Sequence, residues 1–236
     1  MSFHRRVAPF ADRVLPAAAI VAMLVALWVV FVYVPNERVQ GIVQRIFYFH
    51  VNTAWTAYLG FFVAAGASGM YLWRGAPEYD RLAVAAAEIG VMFCTMVLVT
   101  GPIWARPIWG TWWTWDPRLT MTVILWTIYA VYLVLRSSAH EDPQIARYAA
   151  VLAVIGVLDI PLIRISVRLW RGMHPSVISA PPNKGGLEDP RMVVGLLVAM
   201  VAFALLFAWL LWLRYEGLRL RDELHRLEDR VGELAR

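Results

Sequence analysis

Cysteine is almost absent from this 236-residue chain, where Cys94 stands alone. A single thiol excludes an intrachain disulfide and any CxxC motif, and its place inside an apolar block predicts a small packed hydrophobe. Charge is scarce too. Asp, Glu, Lys and Arg make up 17% of the residues while 60% are hydrophobic, with a mean hydropathy of +0.58. Soluble domains carry about a quarter charged residues, so this composition predicts a membrane protein. There is no internal repeat and no pair of interrupted helices of the transporter type. No small-residue cleavage site follows the first apolar block, which is expected to remain as a membrane pass and not to leave as a signal peptide. A net charge of +5 and a pI near 9.7 would suit nucleic acid. No soluble basic domain accompanies them, and a basic balance is ordinary beside anionic lipids, so the bilayer is the expected partner and nucleic acid is not.

What is present in quantity is long apolar sequence. Six blocks approach the roughly 20 residues that cross a bilayer core: Val14 to Val34, Gly41 to Trp73, Leu82 to Trp104, Leu119 to Leu135, Tyr148 to Ile165 and Met192 to Leu213. The fold class is therefore an all-α integral membrane protein with six transmembrane helices. The second block is too long for one crossing, so its first part is expected to protrude or lie in the interface. Pro161 should kink or weaken the fifth. Six spans leave both termini on one side. That side collects thirteen basic residues against nine on the other, which by the positive-inside rule makes it the cytoplasm.

Residues 1–213 form the membrane domain, and residues 214–236 change character. Leu220, Leu224, Leu227, Val231 and Leu234 alternate spacings of four and three, as in a short heptad pattern. An amphipathic cytoplasmic helix that docks on a partner or on the membrane surface is expected there.

Chemistry concentrates on the opposite face. Between spans three and four runs W-G-T-W-W-T-W-D-P-R-L-T, in which Trp109, Trp112, Trp113 and Trp115 precede Asp116, Pro117 and Arg118. Interfacial tryptophans are ordinary belt residues, but four in seven residues is dense for that role. If helical, the segment would present an aromatic shelf in the interface, ended by Asp116 and Pro117. Asp116 has three candidate roles: a helix cap, a partner for Arg118, or a contact for another protein. Arg164, Arg168 and Arg171 follow span five at i, i+4 and i+7, sharing one helical face as either headgroup anchors or an anion site.

Of five histidines, His4, His140 and His225 fall on the cytoplasmic side, whereas His50 enters span two and His174 follows the arginines. Two imidazoles, flat indoles and arginine forks on one face match the axial, ring and propionate needs of a haem better than those of a free metal ion. Two acids, Glu88 and Asp159, lie within spans and need partners, Asp159 with Arg164 and Glu88 in a polar groove. Two other readings stay open on these residues. One is an electron-transfer cytochrome with permanent haem, and the other is a permease subunit whose tryptophans only anchor it.

The Trp stretch closely resembles the "WWD" signature of haem-handling proteins of cytochrome c biogenesis. With F-Y-F-H-V in span two and S-V-R-L-W-R-G-M-H-P after span five, the chain resembles the cytochrome c maturation protein C (CcmC, haem exporter protein C) family over Val39 to Ser176. The resemblance implies that His50 and His174 are axial ligands of a transiently bound haem b and that the Trp loop binds it. It also implies delivery to the periplasmic haem chaperone CcmE, with the ABC transporter CcmAB and the small membrane protein CcmD as partners. This is a transfer component, with no base or nucleophile assigned and no enzymatic role. Two positions depart from the family pattern: Asn52 replaces an expected proline, leaving helix two less bent below His50, and Pro175 replaces a frequent glutamine.

Overall fold

The computed structural model describes residues 2–138, 143–170, 174 and 186–234. All regular structure among them is helical: α1 (Ser2–Trp28, continued by a π-helical turn Val29–Tyr33), α2 (Ile46–Arg74), α3 (Pro77–Trp109), α4 (Pro117–Ser138), α5 (Pro143–Gly156), α6 (Asp159–Leu169) and α7 (Pro190–Leu234). Five segments are long and apolar enough to cross a membrane: Ala11–Tyr33, Pro77–Trp109, Pro117–Ser138, Gln144–Val167 and Pro190–Leu234. At 29 residues α2 has the length as well, and turns its polar side chains inward, with Asn52, Thr53, Thr56 and Ser68 all buried. The protein is an all-α integral membrane protein.

The α2–α3 pair is the most closely packed. Gly60 faces Gly90 across it, and a Cβ on Gly60 would lie 2.9 Å from the Gly90 Cα. Small residues play this part in membranes because helices there associate through close packing, with little hydrophobic drive. Ala26 of α1 against Ala199 and Ala202 of α7 repeats the device. Cys94 is buried in the main core, as its apolar setting predicts.

The surplus length of the second apolar block becomes a separate 3-10 turn, Ile42–Arg45, set off by Gly41 at φ +60°. Arg45 folds it back over the end of α1 by donating to the carbonyls of Phe31 and Val34 and to Asn36 Oδ1 at 3.2 Å. Asn52 leaves α2 unbroken and donates to the Leu196 carbonyl of α7.

The fifth span is broken, but upstream of Pro161. α5 ends at Gly156 and α6 begins at Asp159, which places Pro161 in the first turn of the new helix, where no N–H is missed. Its ring excludes the carbonyl four residues earlier, that of Val157, which is where the helix gives way. α5 packs on both α2 and α4, while α6 packs on α4 and not closely on α2 or α3. The break thus turns α6 away from the α2–α3 wall.

α7 runs unbroken for 45 residues, roughly 67 Å at 1.5 Å per residue, so its last turns stand clear of a ~30 Å hydrocarbon layer. It is braced near its exit by Arg81–Asp222 (2.9 Å), by Trp212 donating to Asp12 (2.8 Å) and by Arg214, which pairs with Glu88. Glu88 is therefore paired with Arg214, and the two side chains line one groove between α3 and α7. Among the described residues no ion pair joins Asp159 to Arg164; Asp159 is buried, with Oδ2 unpartnered.

Candidate functional site

The space opened where α6 leaves the α2–α3 wall is a cavity of about 810 Å³, within the range of cofactor pockets. α2 contributes His50, Val51, Ala54 and Tyr58; α3 contributes Gly101, Trp104, Ile108 and Trp109; α4 contributes Arg118 and Thr122; α6 contributes Pro161 and Arg164; and His174 closes one side. The lining is mainly apolar and aromatic, with two imidazoles and two guanidinium groups as its strongest polar features.

His50 is 6% exposed. Its Nδ1 lies 2.8 Å from Thr100 Oγ1, and its ring meets Trp104 edge-on at 5.6 Å, so two residues of α3 fix one residue of α2. Trp104 is in turn held by its indole N–H donating to Gln40 at 3.1 Å. His174 meets Trp109 edge-on at 6.3 Å, and among the described residues its Nδ1 has no hydrogen-bond partner. Burial pulls the His174 imidazole down to about 3, and Arg118 and His50 act in the same direction. It is neutral at physiological pH and has a lone pair to offer.

The Trp stretch is not a shelf-like helix. α3 stops at Trp109 because Gly110 adopts a left-handed φ of +73°, and residues 111–116 are irregular. Trp109, Trp112 and Trp113 line the cavity, although Trp112 is 58% exposed. Trp115 is absent from the wall; it is 75% exposed and packs edge-on to Trp113 at 5.7 Å. Asp116 is also off the wall and serves as a cap. It is buried, its Oδ1 accepts the Arg118 N–H at 2.9 Å and its carbonyl accepts the Thr120 N–H at 2.9 Å, closing the first turn of α4.

Arg118 and Arg164 line the cavity. Arg171 and the side chain of Arg168 lie outside the described residues. Sequence reasoning missed Trp104 and Thr100, whose nearness to His50 depends on helix pairing over a long separation, and Tyr58, which the i+4 and i+8 spacing from His50 through Ala54 could have found. Gly101 lies beside the site as well: a Cβ there would stand 3.5 Å from the His50 ring.

Long apolar helices around an apolar chamber at one end, with neutral imidazole and arginine on its walls, define a multi-pass membrane protein with room for a bulky ligand. A family profile described as "Heme exporter protein C" matches residues 2–230, most of the tail included. The chain is 38% identical over 201 residues to Heme exporter protein C of Bradyrhizobium diazoefficiens, covering 84% of this chain and 76% of that one. It is 34% identical over 213 residues to the Escherichia coli protein of the same name, covering 89% and 84%. A putative cytochrome c biosynthesis ccmC-like mitochondrial protein of Marchantia polymorpha is 36% identical over 159 residues, 67% of this chain and 65% of its own. The chain belongs to the haem exporter protein C family. Membership carries a role in haem handling for cytochrome c biogenesis, as a transport component.

Proposed function

We propose that the cavity receives haem b as cargo at the periplasmic face of the inner membrane and yields it to the haem chaperone CcmE, with CcmAB and CcmD as partners. His50 and His174 are the axial ligands. Trp109, Trp112 and Trp113 lie against the ring, and Arg118 and Arg164 meet the propionates. Arg168 and Arg171 are further candidates for the propionates on their sequence spacing from Arg164 alone. Trp115 and Asp116 act from outside the wall, one exposed for a partner and the other holding the start of α4. Residues 1–213 carry the cargo site, and residues 214–236 carry a cytoplasmic contact surface, both termini lying inside.

The observation that carries this reading is the meeting of two histidines, His50 buried and His174 half-buried, on one apolar cavity that also holds two arginines. Among the described residues no three His, Cys, Asp or Glu side chains gather to hold a bare metal ion. Two imidazoles suit an iron that brings its own equatorial nitrogens. With both axial positions filled, the iron is closed to oxygen chemistry, and release needs only that an incoming ligand displace one histidine.

The test is the absorption spectrum of protein purified from cells well supplied with haem. A low-spin bis-histidine spectrum is expected from the wild type. Single replacement of His50 or His174 by Ala should convert or abolish it, and an unchanged spectrum in both variants sinks the ligand assignment.

A further inference from the structure

We infer that Thr100 makes His50 the retained axial ligand, so that His174 is the one that lets go when haem is passed on. This rests on the bis-histidine reading above.

Thr100 Oγ1 lies 2.7 Å from the Met96 carbonyl and 2.8 Å from His50 Nδ1. A hydroxyl has one hydrogen, and a carbonyl can only accept. Both contacts are attractive in one arrangement alone: the hydroxyl donates back to Met96, one turn earlier on α3, and His50 donates its Nδ1–H to the same oxygen. In the opposite tautomer, two oxygens would face each other at 2.7 Å with no hydrogen between them. Thr100 therefore fixes His50 with Nδ1 protonated and Nε2 bare, the form required of an Nε2 ligand. Trp104 holds the ring from a second side.

His174 lacks this support. It sits in the connection between α6 and α7, its Nδ1 has no partner among the described residues, and its one ring contact is the edge of Trp109. Partners on the far nitrogen of a ligating histidine strengthen the ligand, and their loss typically costs about 10- to 100-fold in affinity. The two ends of the iron axis are thus unequal. His50 belongs to the closely packed α2–α3 pair, whereas His174 lies outside the helices.

Thr100 is a positioning residue, and its test needs both cargo-free and loaded protein. In cargo-free full-length protein in detergent, ¹⁵N histidine spectra should report His50 as the Nδ1-protonated tautomer in the wild type and in Thr100→Ser, and lose that signature in Thr100→Val. In loaded protein, His174→Gly should keep haem in a high-spin form with one protein ligand, while His50→Gly should lose it. Adding Thr100→Val to His174→Gly should lower haem retention about 10-fold or more, measured as transfer to apomyoglobin, and Thr100→Ser should not. The inference is overturned if His50→Gly keeps haem as well as His174→Gly does, or if Thr100→Val leaves both the tautomer and retention unchanged. If neither glycine variant alters the haem spectrum, the ligand assignment itself fails, a result distinct from either of those.

Discussion

Gly60 and Gly90 meet so closely that α2 and α3 leave no room for a methyl group: a Cβ at position 60 would stand 2.9 Å from one backbone atom of Gly90 and 3.1 Å from another. The contact lies below the cavity and sets the spacing of the two helices that hold His50 and Trp104. Gly60→Val should push them apart, lowering stability by about 1–3 kcal/mol, as overpacking does. Thermal unfolding in detergent would show the loss. Haem occupancy should fall with it, although the substituted residue lies away from the cavity wall.

The two lining arginines give a graded prediction. Replacing Arg118 or Arg164 with Ala removes one charge-assisted contact to a carboxylate, worth about 1.5–3 kcal/mol, or roughly 10- to 100-fold in haem affinity. The absorption spectrum should stay bis-histidine, because neither arginine touches the iron. Haem titration followed by difference spectroscopy separates the two effects, and a changed spectrum would reassign the arginine.

Asp116 is a cap, and a cap has a recognisable substitution pattern. Asp116→Ala should cost about 1 kcal/mol by freeing the first turn of α4, whereas Asp116→Asn should restore most of it. Thermal midpoints of the cargo-free variants test this. If Asn fails where Asp succeeds, the carboxylate charge has a separate duty.

Protonation of His174 gives the acid response a sign. Its imidazole is held near 3 in the folded protein, below the ordinary value near 6.5. The unfolded chain therefore binds the extra proton first as pH falls. Stability should be unaffected above about pH 6.5 and should decline steadily from there towards pH 3. His174→Gln should flatten that slope in cargo-free protein; an unchanged slope would mean that other groups govern acid unfolding.

The spans were legible because an apolar block of bilayer length has few alternatives, and the segments found follow the expected blocks closely. The interruption of the fifth span was legible from Pro161, and it falls one turn upstream because the carbonyl that the ring displaces is that of Val157. The Trp stretch was open to a helical reading because three of its tryptophans share a helical face; Gly110 overrides that spacing by taking a left-handed turn. His50 and His174 stood out by position and by family signature. Thr100 and Trp104 are ordinary span residues until α2 and α3 pair, and nothing in their spacing announces a histidine about fifty residues away, whereas Tyr58 follows His50 by two helical turns on α2 itself.

The uninterrupted course of α7 has a mechanical meaning. One stiff rod begins beside the chamber end at Pro190 and finishes well beyond the opposite side of the bundle at Leu234. A tilt of about 5° about its first turn would carry its tip by about 6 Å, given the rise of an α-helix. The chamber end and the tail thus share a single stiff element, whose length magnifies at Leu234 any small change of angle at Pro190.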